Sequence, residues 1–176
     1  FFGSVVDLDL GDATDDWIGC DVANNMAFCY NSDNDDGGGG PGTYGTNPPA
    51  SGMDFFVSPV NRSVNTPDTL GLTSFVYFTN PGSGQAVCER DPDNPTEAYR
   101  YLQGMKSDGT SWLNPAFSPP RRTVFCYPGD PETAGANDTN WTESDGRINN
   151  CDGDTAGTVE PSPGGDRRFI FKSGSF

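Results

Sequence analysis

The chain has 176 residues, a net charge of −15 and no histidine. That length suits one domain with a real core and leaves little room for two. The charge argues against nucleic acid and against anionic membrane surfaces, both of which need a basic face, and no stretch is long and apolar enough to read as a membrane-inserted span. The missing histidine removes Ser-His-Asp and Cys-His catalysis and the zinc sites that use imidazole.

Glycine (23) and proline (15) are frequent, yet 12 Phe, 6 Tyr and 3 Trp are present. Disordered segments are poor in aromatics, so the composition reads as a folded, loop-rich domain with an aromatic core. Only five of the 25 acidic residues are Glu. Asp favours turns and oxygen-ligand metal loops where Glu favours helices.

In chain order, the apolar runs are short and of period two, the mark of half-buried strands. In Val5–Leu10, Val6, Leu8 and Leu10 share one face, and Asp7 and Asp9 the other. Met26–Tyr30, Met53–Val57, Leu72–Phe78, Thr123–Tyr127 and Phe169–Phe171 are further strand candidates. Stretches 31–49 and 128–154 are rich in turn residues. One helix is expected over about residues 96–106, with Thr96 as its cap and an apolar stripe of Ala98, Tyr101, Leu102 and Met105. These elements predict a mainly β, loop-rich, antiparallel β-sandwich-like domain with one short helix, spanning 1–176 as a single β-rich domain. Both ends fall in strand-like segments. The expectation is a fragment of a longer chain, incomplete at both ends, whose terminal strands pair with strands from elsewhere.

The segment "DLDLGDATDDWIGCD", Asp7–Asp21, holds six aspartates and no basic residue. Two carboxylates at about 4 Å repel by about 1 kcal/mol even in water. Asp7 and Asp9, two apart on a strand, point the same way. Gly11 permits a turn that folds Asp12, Asp15 and Asp16 back toward them. A hard cation taking six to eight oxygens supplies the counter-charge, and Ca2+ suits a flexible loop better than magnesium. A solvated acidic edge strand is the rival reading. In "NSDNDDG", Asn31, Asp33 and Asp35 hold EF-hand-like positions, but Asp36 stands where that loop needs Gly and no Glu follows. Asp33 and Asp35 are therefore secondary metal candidates, and a polar hairpin tip is the stronger reading. "CDGD", Cys151–Asp154, is a third and weaker candidate. A glycosidase-like carboxylate pair, Asp7 or Asp9 with Glu143, has nothing to mark one acid as buried and raised in pKa. Trp17, Trp112 and Trp141 could stack on sugars, though such residues more often fill a core.

Five cysteines, Cys20, Cys29, Cys88, Cys126 and Cys151, form no C-x-x-C pair. Their scatter points to an oxidising, extracellular setting and at least one disulfide. Cys29 and Cys126, both in "FCY" patterns, are the candidate pair. Three N-x-S/T triplets begin at Asn61, Asn137 and Asn140.

The segment Asp7–Asp21, followed by Tyr30, Asn31 and Asp33, resembles a pattern in secreted and surface proteins of Bacteroidota-type bacteria. Those are exported by the type IX system and end in a C-terminal sorting domain. "YGTNPPASG" (44–52), "YRYLQGMKSDGTSW" (99–112), "YPGDPET" (127–133) and "GGDRRFIFKSGSF" (164–176) extend the resemblance in order over nearly the whole chain. It implies export, a surface location and no reaction. It also implies O-glycosylation at Asp68-Thr69-Leu70 and Asp154-Thr155-Ala156. The expectation is a noncatalytic structural or adhesive module, braced by calcium, that self-assembles or meets other surface proteins, as a filament or surface-layer subunit does. The alternative is an accessory or carbohydrate-binding domain of a secreted enzyme that degrades polysaccharide.

Overall fold

The computed structural model describes residues 1–63, 68–79, 90–114, 117–126 and 165–174. The longer strands are β1 (Phe2–Asp7), β2 (Asp16–Asp21), β3 (Met26–Asn31), β6 (Ser51–Asp54), β9 (Ser74–Thr79) and β12 (Arg167–Ser173). Short strands fill in the rest: β4 (Asp35–Asp36), β5 (Gly45–Thr46), β7 (Val60–Asn61), β8 (Asp68–Thr69), β10 (Trp112–Asn114) and β11 (Arg121–Thr123). The helix α1 runs from Pro95 to Leu102. The domain is mainly β and sandwich-like, with antiparallel sheets and no closed barrel.

Two three-stranded sheets carry the core, in orders β1-β12-β9 and β2-β3-β6. The last described strand lies between the first and the ninth. β12 pairs antiparallel with both, Val5 opposite Ile170 and Ile170 opposite Val76. A central strand is covered on both faces, so it reads as a continuous apolar run, which "RFIF" does. Both terminal segments thus find partners within the chain: β1 and β12 pair with each other. Among the described residues β12 has partners on both sides, while β1 has one and leaves its other side without a described neighbour.

Register assigns the faces. Val6, Phe169, Tyr77, Phe171 and Phe75 share one side, because cross-strand partners point the same way. That side meets the second sheet and its flanks. The Phe171 ring lies 4.6 Å from Phe55, and Tyr77 lies 5.7 Å from Trp112. The Arg167 guanidinium, buried, sits 4.4 Å over the Trp17 ring. On the opposite side α1 covers the sheet, with Tyr101 stacked 5.1 Å from Phe78 and Leu102 packed against Gly3. The order of layers is helix, sheet, sheet.

The helix begins one residue earlier and ends four residues sooner than the sequence predicts. Asn94, not Thr96, is the cap, and its side chain accepts from the Thr96 and Glu97 amides. Pro95 suits the first helical position, whose amide needs no partner. Gly104 stops the helix in the left-handed region at φ 73°, where an added Cβ would press on Val124 at 3.0 Å. Among the described residues, no helix is long and apolar enough to cross a membrane.

β2 is the largest departure from expectation. The sequence reading names no strand over Asp16–Asp21, yet it is one, with Asp16, Trp17, Ile18, Gly19 and Cys20 all buried. Its hairpin with β3 turns at Asn25, in left-handed backbone at φ 58°, and Asp21 holds the turn by accepting from the Asn24 amide at 3.0 Å.

The predicted Cys29–Cys126 disulfide is not formed. Cys29 is a free, buried thiol that donates to the Leu8 carbonyl at 3.3 Å. The two "FCY" segments belong to different sheets: Cys29 is on β3, while the Cys126 amide bonds to Phe75 beside β9. Cys88 and Cys151 lie outside the described residues, as do Asn137, Asn140, Trp141, Glu143 and "CDGD".

Candidate functional site

The aspartates of the acidic segment do not meet at one point. They divide into a rim group, a loop group and one buried member.

The rim group is Asp7, at the end of β1, Asp9 just beyond it, and Asp166, just before β12. One carboxylate oxygen from each lies within 4.8 Å of the others. Asp7 and Asp9 are exposed and Asp166 half-buried. The sequence pairs the first two; Asp166 joins them because β1 and β12 run antiparallel, setting Asp7 opposite Arg168. That register also brings a counter-charge. The Arg168 guanidinium contacts Asp7 at 2.7 Å, Asp91 at 2.5 Å and Asp166 at 3.5 Å. Partial burial works against the charge on Arg168, but its bonds to Asp91 and Asp7 outweigh this and raise its pKa. Asp9 has no such bond. Desolvation, then the charges of Asp7 and Asp166, push its pKa up, with Arg168 opposing.

The loop group gathers Asp12, Asp15, Asp33 and Asp36. Desolvation and then the charges of the other three raise the pKa of Asp15. Most of these oxygens already serve the backbone. Asp12 accepts from the Thr14 amide at 3.1 Å and the Thr14 hydroxyl at 2.8 Å. Asp33 accepts from the Asp35 amide at 2.7 Å, a local turn that matches the hairpin-tip reading. Asp36 is fully buried and accepts from the amides of Asp12, at 2.7 Å, and Tyr44, at 2.5 Å. It therefore ties the loop before β2 to the glycine-rich loop. Gly11, in left-handed backbone, is where a Cβ would collide with the Asp36 carboxylate. Asp35 is exposed in β4, and Asn31 donates to the Asp33 carbonyl at 3.1 Å.

The buried member is Asp16, at 1% exposure. It accepts from the Leu10 amide at 3.0 Å, which pins the chain after β1 onto the second sheet. Burial pushes its pKa up to about 7, the Leu10 bond opposing and the charges of Asp15 and Asp9 adding to the rise. Asp16 is not one of the three carboxylates that meet at the rim, though the charge of Asp9 reaches it.

Three carboxylates at the rim fit a hard cation that completes its shell with water, and Arg168 already meets part of the charge. Among the described residues no other group of three acidic or cysteine side chains comes this close. Sequence reasoning missed Asp166, Asp36, Asp91 and Arg168. Asp36 alone carried a local signal, an acid where a calcium loop wants glycine; the rest depend on strand register. Trp17 and Trp112 are buried in the core and cannot stack on a sugar at the surface.

Comparison with protein-family models, with curated proteins and with solved structures finds no match to this chain. Fold and site together define a mainly β, antiparallel, sandwich-like domain whose acids mostly cap its own loops.

Proposed function

We propose that this chain is a noncatalytic structural or adhesive module that works outside the cell or at its surface. One observation carries the reading. Its carboxylates are spent on the fold: Asp12, Asp16, Asp21, Asp33, Asp36 and Asp108 each accept a backbone amide. Loops held this way are rigid through their own hydrogen bonds, which suits a module that bears contacts more than one that performs chemistry. Calcium belongs to the same reading, held by Asp7, Asp9 and Asp166 at the rim. Asp12, Asp15, Asp16, Asp33 and Asp35 do not belong to that group of three. The accessory or sugar-binding alternative has less support, since both described tryptophans are in the core.

The test is a thermal melt of the chain with calcium and with a chelator, beside a glycan-array binding assay. A ligand that binds only the folded state raises the melting temperature. Calcium should raise it and the array should stay blank. An unchanged melt removes the calcium brace; saturable binding to a polysaccharide replaces the structural reading with the accessory-domain one.

A further inference from the structure

We propose that copies of this chain associate head to tail, the Arg121–Arg122 hairpin of one copy docking on the β1 edge of the next. This rests on the reading of the chain as a structural module and names the partner.

The two surfaces lie at opposite sides of one sheet. Beyond β9 the chain continues the sheet: the Phe75 amide bonds to the Val124 carbonyl at 2.9 Å, and the Cys126 amide to the Phe75 carbonyl at 2.9 Å. Residues 124–126 lead directly from β11, which pairs with β10. Among the described residues β1 therefore lies at one side of the main sheet, and residues 124–126, leading from the β10–β11 hairpin, lie beside β9 at the other.

Among the described residues β1 pairs with β12 alone, so its outer row of amides and carbonyls faces outward. Such an edge is usually guarded by lysine, proline or a bulge. Here it shows apolar side chains instead, Phe2 at 57% and Val5 at 60% exposure. Its far end is acidic in the calcium-free chain: Asp7 and Asp166 share Arg168 with Asp91, and Asp9 lies beside them.

The hairpin has the opposite character. Leu113 and Phe117 are 40% and 38% exposed, and the Arg121 guanidinium lies 4.5 Å over the Phe117 ring. Arg121 and Arg122 are both exposed, and among the described residues neither has an ion pair. They are adjacent cations in a chain with only 10 basic residues. An acid-and-apolar edge thus faces a base-and-apolar hairpin. Pairing β1 with itself, antiparallel, would set Asp7 against Phe2 and gain neither match. Because the two surfaces differ, the contact is heterologous and repeats as an open chain. Copies of net charge −15 repel at a distance, but at physiological salt the screening length is about 8 Å, so close complementary groups prevail.

The test is mass by light scattering and sedimentation at rising protein concentration in physiological salt. Wild type should pass beyond two copies. Val5→Asp, which blocks the edge, and the double variant Arg121→Glu/Arg122→Glu should each stay monomeric. Mixed one to one, they should form a dimer that stops at two, because one copy has the working hairpin and the other the working edge. Circular dichroism melts verify folding, with Val5→Glu and Leu113→Asp as replacements for a variant that fails to fold. A wild type that stays monomeric, variants that assemble like wild type, or a wild-type dimer that grows no further each overturn the proposal. A monomer whose melt still responds to calcium overturns the assembly and leaves the structural-module reading standing. Binding on the glycan array overturns that reading whatever the mass.

Discussion

At the scale of single residues, Asp16 shows what an acid can do other than bind metal. Its carboxyl holds the Leu10 amide inside the domain, at the cost of taking an ionisable group out of water. Its folded pKa of about 7 stands above the ordinary carboxyl value of 3.8. Between those values the folded state binds more protons than the unfolded one, so stability from this group falls as pH rises through the window and is constant above it. A shift of this size corresponds to on the order of 2–4 kcal/mol. We predict a melting temperature that falls from pH 5 to pH 8, and a flatter profile for Asp16→Asn, which keeps an oxygen for Leu10 and carries no charge. An Asp16→Asn slope equal to the wild-type slope would show that another group titrates. Cys29, beside Asp16, gives a second prediction. Burial, then the Asp16 charge, raises its pKa, so it is neither ionised nor accessible in the folded chain. A thiol reagent should label Cys29 only after denaturation, and mass mapping of the native reaction checks this.

At the scale of elements, α1 is short for a helix stable alone and depends on its cap and on the sheet beneath it. Asn94 accepts from two amides, while Glu97 reaches back to the Asp93 amide at 2.9 Å and the Asn94 side chain at 3.0 Å. The reciprocal arrangement satisfies donors that the first helical turn leaves open. Tyr101 then anchors the helix, stacking on Phe78 and donating to the Arg90 carbonyl at 2.6 Å. Asn94→Ala should lower stability by about 1 kcal/mol, and Asn94→Ser, which keeps an accepting oxygen without adding a charge beside Glu97, should restore most of it. Urea denaturation of the three proteins decides. A loss that Ser does not recover would mean the amide packs rather than caps.

At the scale of the molecule, the first and last described strands close the main sheet, and Arg168 fastens three distant segments at one corner. It contacts Asp7 on β1, Asp91 before α1 and Asp166 before its own strand. Removing a shared cation leaves three carboxylates facing one another in partly buried surroundings. Arg168→Gln should therefore cost on the order of 1–3 kcal/mol. It should also increase the gain from calcium, since the ion then supplies the charge the arginine gave. Denaturation of both proteins at constant ionic strength, with and without calcium, measures both effects. An equal calcium response in the two proteins would place any calcium site away from this corner.

The sequence by itself determined the class of fold. Period-two runs at Val5–Leu10, Met26–Tyr30 and Leu72–Phe78 need only local alternation to be read, and each corresponds to a strand at slightly shifted bounds. The helix was legible for the same reason, its cap misplaced because Asn94 and Thr96 are both good capping residues. β2 was not legible: its burial on both faces removes the alternation, and aspartates at its ends imitate a loop. The site was half legible. Asp7 and Asp9 are close because they are neighbours in sequence, a local property. Asp166 and Arg168 reach them only through the register of β1 on β12, a pairing across more than 150 residues that no local pattern encodes. Tertiary structure likewise decided which acids turn inward. Whether an aspartate binds an ion or caps an amide depends on which backbone group comes to lie beside it: for Asp16 it is Leu10, across the turn at Gly11, and for Asp36 it is Asp12, in a separate loop.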